Sequence, residues 1–169
     1  MKRLLLATVL TVVLVGTFVL AQHCRRGGRE YVDRSEFPIW ENEEGLEEDV
    51  FTLVRIRYLP HGRHGWDGDY PEADLDISYW LQELTSIEVN PNPVVLELKD
   101  RDLRNYPFAF LITPWSVNFS DAEIAGLREY LLSGGFLMVD EFWGTQHWDL
   151  FYFQIMRAFP ECEPREPPL

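Results

Sequence analysis

Six consecutive residues, Phe108-Ala109-Phe110-Leu111-Ile112-Thr113, carry no charge. Such a run reads as a strand covered on both faces, and strands of that kind belong to parallel sheets joined by helical crossovers. The segments C-terminal to it agree. Pro114-Trp115-Ser116-Val117-Asn118-Phe119 is an exit loop, and Ser120-Asp121-Ala122-Glu123 is a capping box with Ser120 at the N-cap and Glu123 at N3. Ile124, Leu127 and Leu131 line the buried face of that helix, and Gly134-Gly135 stops it with one glycine in a left-handed cap. The next strand, Phe136 to Asp140, is expected to be short and buried. Its end carries two carboxylates, Asp140 and Glu141, followed by Phe142 and Trp143.

The upstream half supplies matching units. Val50 to Tyr58 is β-branched and aromatic, alternating apolar and basic in its second half, which predicts a strand. The loop 60–71 has three glycines and two prolines. A helix is predicted from about Glu72 to Ile87, with Ile77, Trp80, Leu81 and Leu84 as an apolar stripe laid on the sheet. Pro71 suits its first turn, and Asp69, Glu72 and Asp74 suit the positive end of its dipole. Asn90-Pro91-Asn92-Pro93 is a turn, Val94 to Leu98 a second strand, and Asp100 to Leu103 a short helical turn. A last helix runs from Gly144-Thr145 to about Phe159, with Trp148, Tyr152, Ile155 and Phe159 sharing a face. Strands alternating with helices in this way predict an α/β domain with a mostly parallel, doubly wound sheet over residues 50–169. An open sheet of this kind is expected to carry one more strand or helix, so the chain is read as truncated or as ending in an extended arm.

Ahead of the domain, Met1-Lys2-Arg3 precedes an uncharged run from Leu4 to Ala21. Residues 1–21 are a signal peptide cleaved after Ala21 or a retained membrane anchor, and both place the body outside the cytoplasm. His23 before Cys24 argues against a lipoprotein. Residues 22–49 are a charged linker, within which Phe37-Pro38-Ile39-Trp40 is expected to dock onto the domain. Acidic residues number 28 against 15 Lys and Arg, and the first 21 residues hold two of the basic ones and no acidic one. A surface that negative repels phosphate backbones and anionic lipid heads, which argues against nucleic acid as a partner. Cys24 and Cys162 form no C-x-x-C spacing, so a thiolate zinc site is not indicated.

Ligands of open α/β sheets bind beyond the carboxyl ends of the strands. The loop 60–71, the loop 114–119 and the segment 140–144 gather there. His61, His64 and Asp67 are candidate metal ligands, with Asp69, Asp140, Glu141 and His147 nearby in prospect, although their spacing matches no fixed motif and a solvated acidic loop explains them more simply. Asp140 and Glu141 are candidate catalytic carboxylates, with backbone capping as the alternative. Ser116 lacks the flanking glycines of a nucleophile elbow. The aromatics Trp66, Tyr70, Trp115, Phe142 and Trp143 suit a sugar ring or a partner surface. Candidate ligand-binding residues are therefore Asp67, Asp69, Tyr70 and Asp74 from the first loop and its helix. Trp115, Ser116, Asp140 and Trp143 join them from the other two segments. No G-x-G-x-x-G or P-loop is present, and no cofactor is expected.

Several segments occur together in a telling order: Trp66-Asp67-Gly68-Asp69-Tyr70-Pro71-Glu72-Ala73-Asp74, then Asn105-Tyr106-Pro107-Phe108, then Phe119-Ser120-Asp121-Ala122-Glu123, Leu127-Arg128-Glu129-Tyr130-Leu131 and Gly134-Gly135-Phe136-Leu137-Met138-Val139-Asp140. Over about residues 50–160 the chain resembles the bacterial domain of unknown function 4159 family, which is related to the class I glutamine amidotransferase-like fold. The resemblance implies a flavodoxin-like three-layer sandwich in an exported or membrane-anchored protein, periplasmic or facing outside the cytoplasm. It implies no activity. The amidotransferase relatives use an elbow cysteine, and this chain has Trp115-Ser116 in that region. Some family members accompany proteins with von Willebrand type A domains and associated ATPases, which implies an envelope complex.

The expectation is a non-catalytic exported domain that binds an envelope protein or a small ligand at the carboxyl edge of the sheet. The alternative is a hydrolase, metal-assisted or using Asp140 as base, acting on a carbohydrate or amide. Convergence of Asp67, Asp69 and Asp140 in one pocket favours the second; capping of backbone amides by Asp69 and Asp140 favours the first.

Overall fold

The apolar runs do become strands. In the computed structural model, β1 (Val54–Arg57), β2 (Val94–Glu97), β3 (Phe108–Leu111) and β4 (Phe136–Val139) form one parallel sheet in the order β2-β1-β3-β4. Its register pairs Val54 with Val94 and with Ala109, and Ala109 with Leu137. Three helices connect or follow the strands: α1 (Glu72–Leu84), α2 (Asp121–Leu132) and α3 (Thr145–Ala158). Short 3₁₀ turns occupy Arg101–Asn105 and Pro114–Ser116. The structure describes residues 38–42, 49–60 and 65–165; the signal or anchor segment, most of the linker, His61 and His64 lie outside the described residues. No helix among the described residues is long and apolar enough to cross a membrane.

One face of the sheet is apolar throughout. Val54, Ile56, Ala109 and Leu111 point to it and meet Leu127 and Tyr130 of α2 and Phe151 and Ala158 of α3. The capping box at α2 forms as expected: Glu123 N–H donates to Ser120 Oγ at 3.3 Å and Ser120 N–H donates to Glu123 Oε2 at 2.8 Å. Gly134 takes φ +99°, the left-handed stop, and Gly126 lets α2 approach the Leu98 carbonyl where any Cβ would collide.

The other face departs from expectation. Arg55, at the centre of β1, is fully buried. Its Nε donates to Asp74 Oδ1 at 3.0 Å, its Nη2 donates to Asp74 Oδ2, and its guanidinium lies 4.8 Å from the Phe110 ring centroid. A buried guanidinium must be neutralised, so α1 turns Asp74 onto the sheet, with Leu75 and Ser78 beside it. That rotation leaves the predicted stripe outside: Ile77, Trp80 and Leu84 are 39%, 53% and 75% exposed. The apolar periodicity of α1 therefore does not mark its buried face. The helix also ends at Leu84, where Thr85 is extended and its hydroxyl donates to the Leu81 carbonyl.

Two smaller corrections concern the C-terminal elements. β4 is the edge of the described sheet, and its register with Phe108 and Phe110 puts Phe136 and Met138 on the Arg55 face, where they are 60% and 45% exposed rather than buried. In α3 the buried face is Phe151, Gln154 and Ala158, with Ile155 and Phe159 partly covered and Trp148 42% exposed. Trp40 docks as predicted, its indole N–H donating to the Val89 carbonyl at 2.7 Å and its ring near Tyr79.

Candidate functional site

The strand order reverses between β1 and β3, so the crevice beyond their carboxyl ends is where such a sheet receives ligands. Tyr58 follows β1 there and Thr113 follows β3. The Tyr58 hydroxyl sits 3.0 Å from each of the Ile112 carbonyl, the Thr113 carbonyl and Ser116 Oγ. Burial pushes the Tyr58 pKa up, its hydrogen bonds with Ser116 and Thr113 oppose that, and the negative charges of Glu141 and Asp67 add to it.

Thr113 is the conformational outlier of the site. It has φ 54° and ψ 47°, a left-handed conformation that a β-branched side chain rarely adopts. Its hydroxyl donates to Glu141 Oε2 at 2.6 Å and lies 3.4 Å from the Gly65 carbonyl. Glu141 is itself left-handed at φ 73°. The hydrogen bond therefore ties together two strained residues and pins the segment after β4 to the end of β3. Two further bonds hold the same segment. Asp140 N–H donates to the Leu111 carbonyl at 3.0 Å, and Glu141 N–H donates to Asp140 Oδ1 at 2.7 Å. The Trp143 N–H donates to His147 Nδ1 at 3.2 Å, and the His147 ring stacks on Trp115 with centroids 4.7 Å apart. Trp143 itself stands 76% exposed at the tip of this fixed loop.

The carboxylates expected to act together are dispersed. Asp69 pairs with Arg55 Nη1 at 3.2 Å, Asp74 is consumed in the buried Arg55 pair, and Asp140 caps the Glu141 amide. Burial pushes the Asp74 carboxyl up, and its hydrogen bonds from Arg55 pull it back only in part. Asp67 is exposed, and Tyr70 packs on Trp66 with ring centroids 5.5 Å apart. Ser116 is 1% exposed and engaged by Tyr58. Among the described residues no group of three or more His, Cys, Asp or Glu side chains is placed to hold a metal ion. An elbow nucleophile is disfavoured at Thr113 as well. It is 4% exposed, and Pro114 after it has no N–H to offer a developing oxyanion.

A family model described as a domain of unknown function (DUF4159) matches residues 53–168. The chain belongs to that family. No curated protein matches the sequence. The match takes in β1 through α3, and so every residue of the crevice. Within this DUF4159 domain, three residues that position the site gave little sign of doing so. Arg55 and Tyr58 read as ordinary positions of an alternating strand, and Thr113 as the last residue of an apolar run. The one available signal was a basic residue inside a strand flanked by Leu53, Val54 and Ile56, which implies a buried acid on the covering helix.

Proposed function

We propose that this domain binds a partner at the carboxyl edge of its sheet and performs no chemistry there, as part of a membrane-associated envelope assembly. The observation that carries this reading is Trp143: a large, exposed indole on a loop fixed at Glu141, at its own N–H and, through His147, at Trp115. An aromatic anchor held in place before binding loses little conformational entropy on docking, which is what a binding hot spot needs. The strand order β2-β1-β3-β4, with a β1–β3 switch point, supports a flavodoxin-like three-layer framework of the amidotransferase-like kind. Residues 1–21, a basic start and an uncharged run, support export, with the segment retained as an anchor or cleaved. The hydrolase alternative loses support because Asp69 and Asp140 are committed to Arg55 and to a backbone amide.

The test is a photo-crosslinking amino acid placed at position 143 in the producing cell, with position 80 on the exposed side of α1 as comparison. An adduct recovered from the envelope fraction at 143 and absent at 80 supports the reading. Adducts at 80 but none at 143 move the binding surface elsewhere.

A further inference from the structure

The chemistry around Trp143 narrows the occupant. Between Arg128 and Arg157 the chain has no Lys or Arg, while Glu129, Asp140, Glu141 and Asp149 are acidic. Asp140, Glu141 and Asp149 are exposed, and none of the three joins an ion pair among the described residues. Beside them runs a continuous aromatic surface. Phe142 lies 5.7 Å from Trp148, and Trp148 lies 6.1 Å from Tyr152, centroid to centroid. Asp140 Oδ1 and Glu141 Oε2 are used internally, which leaves the second oxygen of each carboxylate for an incoming donor.

We infer that this edge docks a basic segment of a partner protein, with Arg or Lys side chains over the faces of Trp143, Phe142 and Trp148 and paired with Asp140 and Glu141. The inference rests on the binding reading above. Cations are the ligands that gain from both features at once, since indole faces attract them and unneutralised carboxylates pair with them. Anionic lipid heads and phosphates are repelled by the same surface. A neutral sugar ring uses the aromatic faces but does nothing to offset the repulsion between adjacent Asp140 and Glu141.

The experiment is calorimetric titration of the full chain, kept in mild detergent, with a synthetic peptide of alternating arginine and leucine and with its neutral citrulline counterpart. The arginine peptide is expected to bind and the citrulline peptide to bind about tenfold more weakly or worse. Trp143→Ala and the isosteric pair Asp140→Asn with Glu141→Gln are each expected to weaken arginine-peptide binding about tenfold. Glu72→Gln with Glu83→Gln removes the same formal charge from α1 and is expected to leave it within about twofold. Unchanged urea midpoints show that the variants still fold. Equal binding of the two peptides, or equal loss in the α1 variant, overturns the inference. Absent peptide binding with crosslinking at position 143 intact overturns it while the binding reading stands; loss of both removes both. A neutral oligosaccharide that binds dependent on Trp143 but not on Asp140 and Glu141, in place of the arginine peptide, also overturns it.

Discussion

On one face of the sheet Val54, Ile56, Ala109 and Leu111 pack against α2 and α3 in an apolar cluster, while on the other Arg55 lies against the Phe110 ring of β3 and meets α1 through Asp74. The first face tolerates repacking because apolar contact is non-directional. The second fixes one rotation of α1, because only that rotation brings Asp74 to the guanidinium. Asp69 makes a third contact with the same Arg55, so the ion pair also anchors the loop that runs from Gly65 to α1 beside the candidate site. The hydrocarbon face holds the helices to the sheet; the ionic face sets the position of a loop at its functional end.

The largest expected effect breaks the ionic face. Asp74→Ala leaves Arg55 charged and buried without its partner, and is expected to destabilise the domain by about 4 kcal/mol in urea unfolding. The double change Arg55→Met with Asp74→Leu removes both charges and should recover most of that loss. Recovery would show that the pair sets orientation more than it contributes net stability. On the hydrocarbon face Leu127→Ala is expected to cost about 3 kcal/mol, from lost burial and the cavity left behind. If it costs as little as a surface change, α2 is held to the sheet more loosely than the complete burial of Leu127 implies. A third change separates the two faces of α1. Trp80→Gln is expected to shift stability by no more than about 0.5 kcal/mol, because that side chain is half exposed. A loss of several kcal/mol would restore the apolar stripe to the interior and remove Asp74 from it.

These outcomes bear on why the chain was only partly legible. The strands, the Ser120–Glu123 cap and the Gly134 stop follow from local chemistry, since each is decided by residues within a few positions of one another. The rotation of α1 is decided by a residue 19 positions away, Arg55, and the apolar stripe Ile77-Trp80-Leu84 loses to a buried charge that periodicity cannot see. The site is split in the same way. Sequence position alone brought Asp140, Glu141 and Trp143 to the carboxyl edge. The left-handed Thr113 and its bond to Glu141, 28 positions on, depend on the register of β3 with β4, which no local pattern encodes.

The smallest expected effect concerns pH and the two kinds of ion pair. Glu97 is held below the usual carboxylate range, first by the hydrogen bond from Lys99 and also by the Arg57 guanidinium 3.0 Å away. A lowered folded-state value means that its contribution is fully present above the unfolded-state value and is lost as pH falls through the folded one. Asp74 behaves otherwise: burial raises its carboxyl against the pull of the Arg55 hydrogen bonds, so the two effects oppose each other and no acid-side loss like that of Glu97 is expected from it. Glu97→Gln should therefore flatten the acid side of the stability profile, measured by urea unfolding between about pH 3 and pH 7, the range over which carboxylates titrate. Asp74→Asn leaves Arg55 buried without its counter-charge and should lower stability across the whole of that range rather than reshape its acid side. If Asp74→Asn reshaped the acid side as Glu97→Gln does, the buried pair would be behaving as a solvated one, and the contrast between the two faces of the sheet would fail where it is most chemically specific.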